Sequence, residues 1–144
     1  MNIVCTQCGA INRVPDARLG EQPVCGRCGL ELLPAKPVEL TDANFRRVID
    51  SSEIPTVVDF WAAWCGPCRA MAPQFEAAAR QVQGVRFAKV DTDANPQTST
   101  QLGIRSIPTL ALFHRGRERA RHSGVMSAAD LQRWLAAQLQ QAAA

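Results

Sequence analysis

Six cysteines fall into three Cys-x-x-Cys pairs, Cys5/Cys8, Cys25/Cys28 and Cys65/Cys68, and only the last follows a long apolar run, Val57-Val58-Asp59-Phe60-Trp61-Ala62-Ala63-Trp64. Thiols at this spacing hold a metal or exchange disulfides, and their surroundings decide between the two. A pair at the end of a buried strand, enclosing Gly66 and Pro67, fits a redox site at a strand-to-helix junction. The other two pairs lie in residues 1–33, a segment with no Phe, Trp or Tyr and too few apolar residues to expect a core there. Sixteen residues separate Cys8 from Cys25, within the range of a four-thiolate site. Cys5, Cys8, Cys25 and Cys28 are therefore expected to hold one structural Zn²⁺ that supplies much of the folding free energy of the segment. Two disulfides would use the same four thiols, but a reducing compartment disfavours them.

A chain of 144 residues accommodates one full domain and a small appendage, not two full domains. Hydrophobic content of 47% and charged content of 20% exclude wholesale disorder. No stretch approaches the roughly 20 apolar residues that span a bilayer, and Met1-Asn2-Ile3-Val4-Cys5 offers neither a basic leader nor an apolar signal core. A cytoplasmic protein without membrane association is expected.

Along the chain, the glycine after each N-terminal pair, Gly9 and Gly29, supports a tight knuckle that turns backbone N–H groups toward the sulfurs. The segment 1–33 gives way to a stiff linker, Pro34-Ala35-Lys36-Pro37, and then to a domain over 38–144. There, Thr41 is expected to cap a helix through about Asp50, with Phe45, Val48 and Ile49 on its apolar face. Strands are expected at Thr56–Ala62 and Val85–Asp91. A helix from Gly66 to about Gln83 should carry Pro73 as a kink, and Asn95-Pro96 should open a short helix to about Leu102. Arg115-Gly116 signals a hairpin between Thr109–His114 and Arg117–Ser123. Ser127 and Asp130 resemble a capping box ahead of a last helix buried along Leu131, Trp134, Leu135 and Leu139. Alternating strands and helices followed by a hairpin predict an α/β fold, a mixed sheet covered by helices.

The run Val58-Asp59-Phe60-Trp61-Ala62-x-Trp64-Cys65-Gly66-Pro67-Cys68-Arg69, then Pro73, Ile107-Pro108-Thr109 and Gly124, is similar in order and spacing to the thioredoxin family over about residues 38–144. The cysteine-rich extension resembles the zinc-binding N-terminal module of the bacterial thioredoxin 2 subfamily. The resemblance implies the thioredoxin fold and a monomeric protein-disulfide reductase. It also implies a partner flavoprotein, the NADPH-dependent thioredoxin reductase, disulfide-containing client proteins, and no organic cofactor bound directly. A thiol attacks a disulfide as its thiolate, and Cys65, expected at a helix N-terminus, has its negative charge favoured there. Cys65 is expected to be the exposed nucleophile and Cys68, one helical turn on, the resolving thiol. Asp59 stands in an apolar strand, where burial should raise its pKa. By resemblance Asp59 relays the proton of Cys68, and Lys89 tempers the charge on Asp59. Trp64 matches the exposed position that meets partners, whereas Trp61 is expected to pack beneath the loop. Ile107-Pro108 resembles the cis-proline turn opposite the cysteines, where an extended client segment can pair. Gly124 matches the glycine that keeps this groove open. Ala63 stands where some members of the family carry an acid and Arg69 where lysine is commoner, changes that leave the rim less negative or keep it basic.

Other classes fare less well. A disulfide oxidase or isomerase would share the fold but needs an oxidising compartment. A redox-inactive zinc-dependent binding module would have no use for Cys65 and Cys68. Nucleic-acid binding lacks support, because residues 1–33 carry no stacking aromatics. Their three arginines balance three acids, so four thiolates with one divalent ion leave the segment at net −2. Arg115, Arg117, Arg119 and Arg121 are read as guarding an exposed sheet edge, and His114 and His122 as surface residues.

Overall fold

The computed structural model describes residues 1–143. Strands β1 (Asn2–Val4) and β2 (Ile11–Arg13) pair antiparallel ahead of a single 3-10 turn at Asp16–Arg18. After them come β3 (Val38–Glu39), α1 (Phe45–Ser51), β4 (Thr56–Trp61), α2 (Gly66–Gln81), β5 (Arg86–Asp91), α3 (Pro96–Gln101), β6 (Thr109–His114), β7 (Arg117–Ser123) and α4 (Ala128–Ala143). The larger sheet has the order β3-β5-β4-β6-β7. β5 runs parallel to β3 and β4, and the β6–β7 hairpin adds two antiparallel strands.

Strand β4 lies at the centre with helices on both faces, which is why it reads as a nearly unbroken apolar run. Alternation sends Val58 and Phe60 toward one face, where they meet Phe45, Val48 and Ile49 of α1 with Ala88, Val90, Ala111 and Phe113. Val57 faces the other side, against Met71 and Phe75 of α2, Leu110 and Leu112 of β6, and Leu131 and Leu135 of α4. Phe75 stacks edge-on to Phe87 with ring centroids 5.1 Å apart. Asp59, two residues after Val57, shares the α2 side. No helix among the described residues is long and apolar enough to cross a membrane.

Several boundaries differ from expectation. Helix α1 begins at Phe45, not after Thr41, because Asn44 folds its side-chain oxygen back to accept from the Thr41 N–H at 2.8 Å, and residues 42–44 form a turn. Only half of the capping box forms: Ser127 Oγ accepts from the Asp130 N–H at 3.1 Å, while the Asp130 carboxylate pairs with Arg133. Arg121 is no plain edge guard. It pairs with Glu118 and donates to the carbonyls of Leu102 and Gly103 at the end of α3. His114 and His122 are half-buried rather than fully on the surface, His122 lying against the Trp134 ring.

The N-terminal segment does build a small core, contrary to the expectation from its composition. Ile3, Cys5, Val14, Cys25 and Leu32 bury one another with the help of Ile54 from the larger domain. In return Val4 enters the core beneath α1. Hydrogen bonds fasten the exchange: the Glu53 N–H donates to Asn2 O at 2.7 Å, the Val4 N–H to Ser52 Oγ at 3.1 Å, Asn44 Nδ2 to Thr6 O at 3.1 Å and Arg47 Nε to Gly9 O at 2.8 Å. A segment too poor in apolar residues to close a core alone thus completes one by borrowing a side chain across the junction.

Candidate redox site and metal centre

Cys65 ends the loop after β4 and is the N-cap of α2, with extended backbone angles and its sulfur accepting the Cys68 N–H at 3.2 Å. The cap thus satisfies one of the orphan N–H groups at this helix end, and the helix dipole favours negative charge on the same sulfur. Gly66 and Pro67 fill the first turn, where the missing proline N–H costs no hydrogen bond. Cys68 follows one turn later, its Cα 5.2 Å from that of Cys65, and the two sulfurs are joined in a disulfide.

The nucleophile was expected to be exposed, and the structure corrects this. Cys65 is only 4% exposed and Cys68 only 3%, enclosed with Ala62 and flanked by Trp61 and Ile107. Accessibility belongs instead to the rim, where Ala63, Gly66, Pro67 and Arg69 are exposed and Trp64 is 68% exposed. Arg69 is drawn across this rim by a 3.0 Å bond to the Ala63 carbonyl.

Opposite the disulfide, the Ile107–Pro108 peptide is cis, and the Ile107 carbonyl oxygen lies 3.7 Å from Cys65 Sγ. The Gly124 N–H donates to the Pro108 carbonyl at 2.9 Å. Gly124 adopts φ +103°, and a Cβ there would meet nothing within 4 Å, so inside this chain the backbone angle, not space, is what calls for glycine.

On the α2 side of β4, Asp59 is 1% exposed and neither carboxyl oxygen has a hydrogen-bond partner. Burial pushes its pKa up to about 7, against the smaller opposing pull of the Lys89 charge. Lys89 is the register partner of Asp59 on β5, and its ammonium lies 4.7 Å from the Trp61 ring centroid.

At the other end of the molecule the two N-terminal knuckles repeat one pattern. The Cys5 and Cys25 N–H groups donate to Ala10 O and Leu30 O, and the Gly9 and Gly29 N–H groups return to Cys5 O and Cys25 O. Both glycines have positive φ, 75° and 80°. The Arg27 N–H lies 3.4 Å from Cys25 Sγ. The four sulfurs all lie within 4.8 Å of one another, with Cys5–Cys28 and Cys8–Cys25 both at 3.6 Å. Sulfurs held by one tetrahedral zinc are about 3.8 Å apart, so the set fits such an ion with little adjustment. Without a metal, Asn12 and the backbone N–H groups of Cys28 and Arg27 pull Cys25 down to about 6.

Sequence reasoning missed Arg86, the first residue of β5. It is 2% exposed, with Nη1 donating to Val4 O at 2.8 Å and Nη2 to Ser52 Oγ at 2.8 Å. Burial pulls its pKa down to about 10 while the Cys5 sulfur pulls it back up, so it stays cationic at neutral pH. The available signal was its register: Arg86, Ala88 and Val90 alternate onto the face that α1 and β1 cover.

Comparison with known proteins follows the same division. Residues 36–137 match the family model described as Thioredoxin, and residues 4–30 match the model described as Thioredoxin 2, N-terminal. Thioredoxin C-3 of Corynebacterium nephridii is 50% identical over 141 residues, covering 98% of this chain and 97% of that protein. Thioredoxin of Alicyclobacillus acidocaldarius subsp. acidocaldarius is 56% identical over 79 residues, 54% of this chain and 74% of its own. Among solved structures, the long form of thioredoxin f from spinach chloroplast superposes with a TM-score of 0.64 at 29% identity, covering 75% of this chain and 88% of that one. A disulfide-forming Cys-x-x-Cys pair on this fold, behind a four-cysteine zinc-ribbon module, makes the chain a member of the thioredoxin family and a thioredoxin-type disulfide oxidoreductase.

Proposed function

We propose that the protein reduces disulfides of client proteins in the cytoplasm and is returned to its dithiol form by an NADPH-dependent thioredoxin reductase. The observation that carries this reading is the Cys65–Cys68 disulfide at the N-terminus of α2, on the sheet face that also buries the unpartnered Asp59. In the reduced protein the Cys65 thiolate attacks a client disulfide, forming a mixed disulfide and releasing one client thiolate. Cys68 gives its proton to the Asp59 carboxylate and attacks the Cys65 sulfur. The bond between Cys65 and the client breaks, the second client thiolate leaves, and the Cys65–Cys68 disulfide persists until the reductase supplies two electrons and the proton held by Asp59 returns to Cys68. A proton acceptor with a pKa near 7 suits this step at neutral pH. Lys89 limits how far that pKa rises.

Trp64 supplies an exposed aromatic surface for clients, and Gly66 and Pro67 present the first turn to them. Ile107, Pro108 and Gly124 form the opposite wall, where an extended client segment lies beside Cys65. The ion at Cys5, Cys8, Cys25 and Cys28 is proposed to be structural Zn²⁺, which neutralises thiolate repulsion and ties the knuckles together. Residues 1–33, 34–37 and 38–144 are proposed as module, linker and redox domain.

Turnover of a protein disulfide with NADPH and thioredoxin reductase tests the reading. Wild type should sustain NADPH oxidation, Cys65→Ser should abolish it, and Cys68→Ser should accumulate mixed disulfides through Cys65. Full turnover by Cys65→Ser, or a reduction potential close to about −120 mV, the value of a strong oxidase, would reject it.

A further inference from the structure

The guanidinium of Arg86 is a buried cation without a carboxylate. It lies at the junction between module and domain, bonded to a carbonyl and a hydroxyl, and Nε has no partner. Among the described residues no acid lies within 4.0 Å of it. A buried charge in this state is costly unless an opposite charge compensates it. The carbonyl it grips belongs to Val4, the residue before Cys5, and Cys5 is the fully buried member of the four-thiolate set. Four thiolates around one divalent ion carry two net negative charges, so the missing counter-charge lies just across that peptide.

We propose that Arg86 is a positioning residue for the metal centre: its charge, held at the junction by Val4 O and Ser52 Oγ, is balanced by the metal–thiolate cluster, so metal retention and docking of the module on β5 are one coupled equilibrium. Two features of the junction agree. Ser52 Oγ accepts from Arg86 and from the Val4 N–H, so the same hydroxyl fixes the cation and β1 together. Arg86 also pairs in register with Thr56 of β4, which makes it part of the central sheet and not of a mobile loop. Coupling of this kind is reciprocal: whatever factor the arginine contributes to metal affinity, the metal returns to the stability of the docked form.

The test uses the full chain loaded with Zn²⁺ and a competing chromogenic chelator. Arg86→Gln keeps an amide donor but removes the charge, and it should weaken zinc retention by about 10–100-fold, the range for outer partners of metal ligands. Arg86→Lys keeps the charge and should recover most of the loss. Ser52→Ala removes a docking hydrogen bond without touching the charge, and should weaken retention less than Arg86→Gln does. Wild-type zinc retention in a folded Arg86→Gln protein overturns the proposal, as does a Ser52→Ala loss equal to that of Arg86→Gln, which would reduce the arginine to a docking bond. Should Arg86→Gln fail to fold, the same retention assay on Arg86→Lys and Ser52→Ala decides. A lysine variant that holds zinc better than Ser52→Ala supports the coupling through charge, and one that holds it no better overturns it.

Discussion

Asp59 and Lys89 are register partners on adjacent central strands, yet the Lys89 ammonium lies over the Trp61 ring and the Asp59 carboxyl has no hydrogen bond at all. The lysine therefore acts on the aspartate only as a nearby charge. Desolvation wins, and the acid titrates near neutrality instead of near 3.8.

This has a sign that stability measurements can read. The folded protein binds the Asp59 proton more tightly than the unfolded chain, so the contribution of Asp59 is intact below 3.8, is lost progressively as pH rises to about 7, and is level above that. Asp59→Asn removes the loss. At about pH 8 the variant should be more stable than wild type by up to about 4 kcal/mol, shrinking toward zero near pH 4. Urea midpoints across this range check it, and a gain independent of pH would point to packing instead. The same variant should slow release of clients, because Cys68 loses its proton acceptor.

Trp64 is exposed and packs into neither principal core, so its removal should spare the fold. Trp64→Ala is expected to change unfolding free energy by less than about 0.5 kcal/mol. It should raise KM for a protein disulfide several-fold while leaving reduction of a small aliphatic disulfide unchanged. Steady-state kinetics on both substrates separate the cases, and an equal loss on both would place Trp64 in the chemistry.

The N-terminal core contains few large side chains, each contributing about 1.5–3 kcal/mol when buried, whereas a structural zinc site supplies roughly 10–16 kcal/mol. Cys28→Ser is expected to lower bound metal from one ion to none and to remove amide-exchange protection at Ile3 and Val14. The Cys65–Cys68 couple should still titrate as a dithiol. Persistent protection without metal would assign the stability to Ile54 and its neighbours instead.

Gly124 has room for a side chain but not the backbone angle for one. Gly124→Ala should destabilise by roughly 1–3 kcal/mol, and Gly124→Ser by about the same amount, because strain and not a clash sets the cost. Thermal unfolding of the pair checks this. A much larger loss for serine would indicate a contact.

Much of this protein was legible in its residue order. The apolar run within Thr56–Ala62 specified a central strand, seen at Thr56–Trp61, Cys65-Gly66-Pro67-Cys68 a helix start with two thiols one turn apart, and Arg115-Gly116 a tight hairpin, where both residues have positive φ. The knuckle glycines Gly9 and Gly29 were equally plain. All of these depend on neighbours within a few positions, through dihedral preference, spacing and local apolar pattern. Tertiary structure alone decided the rest. Cys65 lies under a rim because Trp61 and Ile107 close over it, the latter 42 residues away. The N-terminal core exists because Ile54 enters it, and Arg86, read as an ordinary strand residue, is buried because β1 covers it from 82 residues earlier in the chain. Burial and charge compensation are sums over whatever the fold brings near, and no local pattern of residues contains that sum.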